Sequence, residues 1–189
     1  METITALYDA CVLYSASLRD FFMYLAMTDT FYARWTDQIH DEWTRHVLAN
    51  RPDLKKEKLE RTRNLMNWHI RDCLVTGYEP LIAKLDLPDP DDRHVLAAAI
   101  RGGASVIVTF NLADFPTNRL APYGIVARHP DDFVTHILGL FPNAVCLAAK
   151  RHRENLFNPP KTVAEYLDSL ARQQLPQTVA RLTPFANVL

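Results

Sequence analysis

Four short stretches of the sequence carry carboxylates where their charge could act on a ligand. Asp9 closes the apolar run Ile4–Tyr8, and Glu42 lies inside RWTDQIHDEWTRHVL. Asp89, Asp91 and Asp92 open LPDPDDRHVLAAAIRGG, while Asn111 and Asp114 follow a β-branched run in TFNLADF. Carboxylates gathered without a lysine or arginine among them repel one another unless a cation sits between them. A hard divalent ion, Mg²⁺ or Mn²⁺, suits carboxylate oxygens and water. Such a site polarises and orients a phosphate and activates water, which is the chemistry of metal-dependent phosphodiester cleavage.

The elements that must position these groups follow from local pattern. In Leu87–Asp114, Asp89 is a good N-cap and Pro90 occupies the first helical position, where proline is tolerated. Val95, Leu96, Ala99 and Ile100 recur at helical spacing, and Gly102-Gly103 ends the helix. At about 100° per residue Asp92 projects onto the apolar stripe, Asp91 onto its margin, and Arg93 and His94 away from it. The competing reading is plain: acids in a first turn satisfy free N–H groups and the helix dipole, and DPDD needs no further role.

Along the chain, Ile4–Tyr8 reads as a buried strand, and Ser15 or Ser17 caps a helix over about Leu18–Met27. Phe31–Trp35 reads as a second strand. Thr36 caps a helix to about Ala49 with Ile39, Trp43, His46 and Val47 inward. Leu54–Asp72 is a charged helix with Leu65, Met66 and Ile70 inward, and Cys73–Thr76 is a further strand candidate. Ser105–Phe110 is the strongest strand, Gly124–Ala127 a short one, and Pro130–Leu138 a helix. Helices over Asn143–Asn155, from the Thr162/Glu165 capping box to about Gln173, and over Leu175–Leu182 complete the chain. Strands alternating with helices imply a parallel sheet covered on both faces. In such a sheet helix N-termini share an edge with the strands' carboxyl ends, where open α/β sheets bind ligands. Asp9, Glu42, Asp92, Asn111 and Asp114 therefore belong at one edge.

These residues, in order as well as spacing, resemble the PIN domain family, in particular the VapC-type toxin ribonucleases. The resemblance covers roughly residues 1–135 and implies a three-layer α/β/α sandwich with a central parallel sheet. It implies that Asp9, Glu42, Asp92 and Asp114 are catalytic and hold Mg²⁺ or Mn²⁺, with Asn111, Asp89 and Thr109 as auxiliary groups. It implies an endoribonuclease acting on RNA and neutralised by a cognate antitoxin. Cys11 stands where the family often has Asn or Ser, which removes a good hydrogen-bonding group from beside Asp9. The tail resembles the C-terminal extension of a longer subgroup, so a nuclease domain is expected over 1–140 and a helical extension over 141–189.

Composition narrows the alternatives. The chain has 189 residues, is 48% hydrophobic and carries a net charge of −1, so no global basic field draws it to nucleic acid. Three scattered cysteines read as reduced thiols of a cytoplasmic protein, and no apolar run approaches the roughly 18 residues of a membrane span. No nucleotide-binding glycine motif, histidine metal motif or nucleophile elbow is present, and His46, His69 and His94 read as packing or surface residues. The run Arg51–Arg63 is either a solvated face or a phosphate-contacting arm. The C-terminal helices cap the core or form a homodimer or antitoxin interface. Two other readings stand beside the nuclease: a catalytically weak PIN-like RNA-binding or scaffold module, and an Asp-based phosphotransfer module.

Overall fold

The computed structural model describes residues 4–189. In chain order the larger elements begin β1 (Thr5–Tyr8), α1 (Ala10–Tyr14), α2 (Ala16–Ala26), β2 (Tyr32–Arg34) and α3 (Asp37–Asn50). They continue with α4 (Lys56–His69), α5 (Glu79–Ile82), α6 (Arg93–Arg101), β3 (Val106–Val108), α7 (Thr117–Leu120) and β4 (Val126–Arg128). Last come α8 (Pro130–Leu140), α9 (Pro142–Glu154), α10 (Val163–Arg172) and α11 (Pro176–Leu182). Among the described residues no helix is long and apolar enough to cross a membrane.

The chain divides into two compact units. One comprises the described residues to Ser15 with Phe31–His129, the other Ala16–Thr30 with Pro130–Leu189. The first holds a four-stranded sheet of order β2-β1-β3-β4, parallel throughout. The expected α/β class with a central parallel sheet is therefore the observed one. Val106, Ile107 and Val108 are all buried, as are Ala6, Leu7 and Tyr8, so consecutive side chains of both central strands are covered. Burying each such aliphatic side chain contributes about 1.5–3 kcal/mol. The order reverses between β1 and β3, and Tyr8 lies opposite Val108 there. The next residues, Asp9 and Thr109, stand at the crevice where parallel α/β sheets bind ligands.

In the second unit the aromatic face of α2 packs on α8 and α9: Phe22 stacks on Phe133 at 6.3 Å and Phe21 on His152 at 5.9 Å. His152 also meets Tyr24 at 5.5 Å and hydrogen-bonds the Tyr166 hydroxyl at 3.1 Å. Buried Asp131, in the first turn of α8, accepts the Gln177 and Thr178 N–H groups at 2.8 and 2.7 Å and so caps α11. The Thr162/Glu165 capping box opens α10 as expected.

Several expectations are corrected. Asp9 does more than close a strand: it caps α1, a five-residue helix the pattern did not signal, and Ser15 ends that helix. Cys73–Thr76 makes only one bridge, Leu74 to Trp35. His46 is exposed and His40 buried in its place, because Asn67 and Trp43 satisfy the His40 ring. Leu65 is 45% exposed, while Leu59 and Met66 form the inner side of α4. A charged helix with few apolar positions leaves its rotational phase weakly specified.

Candidate metal centre at the carboxyl edge of the sheet

Asp9 is the best-fixed member of the site. Only 5% exposed, its carboxylate accepts the Ala10 N–H at 2.6 Å, the Thr109 hydroxyl at 2.7 Å and the Cys11 thiol at 3.0 Å. The two side-chain donors are themselves held: Thr109 Oγ1 accepts the Asn111 N–H at 3.0 Å, and Cys11 Sγ accepts the Phe110 N–H at 3.3 Å. Burial, then the charge of Asp9, pushes the Cys11 thiol up to about 12, so its proton stays on to donate. The expected loss of a hydrogen-bonding group at position 11 is thus corrected: the thiol links β3's exit to Asp9. Sulfur is a weak donor, and its reach spans the gap.

Asp92 ends a 3-10 turn, Pro90–Asp92, immediately before α6. Its carboxyl is pushed up to about 7, first by burial and then by the negative charges of Asp9, Asp114 and Asp89, with His94 acting in the opposite sense. Two carboxylates and the 3-10 turn's own cap thus act on one side chain. Asp89, exposed, accepts the Asp91 N–H at 2.9 Å as the expected cap. Asp114 sits half-buried in the 3-10 turn Leu112–Asp114, and Asn111 is exposed at its start.

Glu42, half-buried in the second turn of α3, pairs with His94, Nε2 to Oε1 at 2.8 Å. The reading that His94 points away from the core is wrong. The residue is 3% exposed, because α6 is buried continuously from His94 to Ala99 and has no solvent side along that stretch. A wheel drawn through Asp92 also carries the phase of the 3-10 turn, whose residues advance about 120° rather than 100°. Among the described residues no group of three or more His, Cys, Asp or Glu side chains is closed tightly enough to hold a metal ion. The structure therefore brings Asp9, Asp92, Asp114 and Asp89 into electrostatic reach and pairs Glu42 with His94, two residues after Asp92.

A family model described as PIN domain matches residues 5–113, more than half of the chain. The chain belongs to the PIN domain family. That match contains Asp9, Glu42, Asp92 and Asn111 and stops one residue before Asp114. A second model, described as the VapC50 C-terminal domain, matches residues 130–184 and begins where the second unit resumes at Pro130. A curated relative from Mycobacterium tuberculosis (strain ATCC 25618 / H37Rv), named "Putative ribonuclease VapC50", is 44% identical over 105 residues. The match covers 56% of this chain and 61% of that relative, so less than two thirds of the relative's length is spanned. No solved structure matches. The resemblance to VapC-type PIN proteins with a C-terminal extension is thus borne out at the level of family.

Proposed function

We propose that this protein is a divalent-metal-dependent endoribonuclease, the toxin of a toxin–antitoxin pair, with Asp9, Glu42, Asp92 and Asp114 as its catalytic and metal-holding residues. The observation that carries the reading is the convergence of Asp9, Asp92 and Asp114, from three separated segments, at the crevice between β1 and β3. Membership of the PIN family and the name of the curated relative support RNA as substrate.

The donor set fits a hard cation, since it offers carboxylate oxygens from Asp9, Asp92, Asp114 and Asp89 within electrostatic reach of one another. When bound, Mg²⁺ or Mn²⁺ supplies positive charge for the phosphate oxygens and acidifies water. The chain's own contribution is orientation. Thr109 and Cys11 fix Asp9, the Pro90–Asp92 turn presents Asp92 beside it, and Asp114 approaches from the exit of β3. Asn111, exposed at the start of the Leu112–Asp114 turn, serves in this reading as an auxiliary ligand or substrate contact. We assign the chemistry to residues 1–140 and a helical extension to 141–189, with a cytoplasmic location, an antitoxin partner and a homodimer as parts of the same reading.

Cleavage of a structured RNA pool with Mn²⁺ or Mg²⁺, with and without chelator, tests it against Asp92→Asn. Metal-dependent cleavage lost in a folded Asp92→Asn supports the assignment, and chelator-insensitive cleavage, or none by either protein, overturns it. The open spacing of the carboxylates, none closed into a group of three or more among the described residues, favours one competing reading, a PIN-like RNA-binding module that holds metal weakly. Retained RNA binding without metal uptake would establish that alternative.

A further inference from the structure

The buried ring of His94, two residues after Asp92, holds the carboxylate of Glu42. We infer that His94 is a positioning residue for Glu42, fixing one carboxylate oxygen so that the other is presented to a divalent cation. The inference rests on the metal-site reading above. The ring lies on α6, two residues after Asp92, and is 3% exposed, while Glu42 comes from α3, across unrelated sequence. The 2.8 Å contact uses Nε2 and Glu42 Oε1, so Oε2 is not the oxygen held by the ring, and Nδ1 is buried with no hydrogen-bond partner among the described residues.

Physical cost makes this arrangement informative. A buried imidazole with one ring nitrogen unsatisfied is unfavourable relative to an apolar side chain of the same size. Its neighbours on α6 are Val95, Leu96 and three alanines, so packing alone calls for an aliphatic residue there. What a histidine adds is one directed hydrogen bond to Glu42. That bond removes rotamer freedom from the Glu42 side chain. A carboxylate so fixed presents its second oxygen in one direction, and outer hydrogen-bond partners of ligating side chains are worth about 10–100-fold in metal affinity.

The experiment is Mn²⁺ binding to the full chain, read as free Mn²⁺ by electron paramagnetic resonance, for wild type, His94→Leu, His94→Gln and Glu42→Ala. The glutamine amide nitrogen falls near the position of Nε2 and keeps the donor, whereas leucine keeps only the bulk. His94→Leu is expected to weaken Mn²⁺ binding about 10-fold or more, and His94→Gln to recover most of it. In the Glu42→Ala background, His94→Leu should change affinity less than about twofold, because a positioning residue acts only through its partner. His94→Phe, which fills the space without a donor, carries the same expectation where leucine does not fold. Wild-type affinity in His94→Leu, equal losses in the leucine and glutamine variants, or an undiminished effect without Glu42 overturns the role of His94 alone. A wild type that takes up no Mn²⁺ overturns the metal reading, and this inference with it.

Discussion

Replacing Asp92 by Asn should stabilise the metal-free protein and destabilise the metal-loaded one. The folded carboxyl sits at about 7 against 3.8 when unperturbed, a rise of about 3 units or about 4 kcal/mol at most. Partial solvent exposure screens this, and halving it leaves about 2 kcal/mol. Because the folded chain binds this proton more tightly than the unfolded one, the penalty is absent below about pH 4 and complete above about pH 7. In chelator at pH 8 the variant should therefore melt roughly 4–8 °C above wild type. At pH 5 the gap should fall to less than half of that. With Mn²⁺ at about 100 times its dissociation constant the order should reverse, since wild type then gains about 2.7 kcal/mol that the variant largely forgoes. Differential scanning fluorimetry in chelator and in Mn²⁺, at both pH values, reads all four corners. A variant no more stable than wild type at pH 8 in chelator would refute the premise that burial and the neighbouring acids together disfavour the Asp92 charge.

Three further outcomes follow from named contacts. Thr109→Val should cost about 1–3 kcal/mol in urea denaturation and weaken Mn²⁺ binding, because it strands the Asn111 N–H and frees the Asp9 carboxylate, while Thr109→Ser should behave as wild type. His40 and His152 are both held down to about 4 by burial, so the stability they confer is full above pH 6.5 and is lost as pH falls toward 4. Each is worth at most about 3 kcal/mol, and His152→Phe should flatten the acid limb of a stability–pH curve. Asp131→Ala should leave the Gln177 and Thr178 N–H groups unpaired, costing about 2–4 kcal/mol and raising hydrogen exchange first in α11.

The acids were legible in the sequence because each one sits at an element boundary with strong local signals. Asp9 follows an apolar strand, Thr36 caps the helix bearing Glu42, and Asp89-Pro90 opens the turn bearing Asp92. Each boundary is fixed by nearest neighbours in the chain, and the parallel sheet then fixes which edge they share. What could not be read is what depends on partners. Nothing local distinguishes His94 as a buried ring, since α6 is covered on every side and its pattern has no polar face for contrast. The Cys11 link depends on Phe110 and Thr109, about a hundred residues away. His40 rather than His46 is inside because Asn67 of α4 meets it, a contact between two helices that amphipathic periodicity does not register.

The membership of Ala16–Thr30 in the same compact unit as Pro130–Leu189 has a consequence for synthesis. On the ribosome α2 emerges within the first 26 residues, yet Phe133 and His152, on which its aromatic face packs, appear more than a hundred residues later. The nascent polypeptide must carry that apolar helix unsatisfied while most of the remaining protein is translated. A stop codon or protease cut near residue 130 would leave it permanently bare. The helical tail is thus not a detachable accessory, and a shortened version of this protein calls for a redesigned α2 rather than a simple deletion.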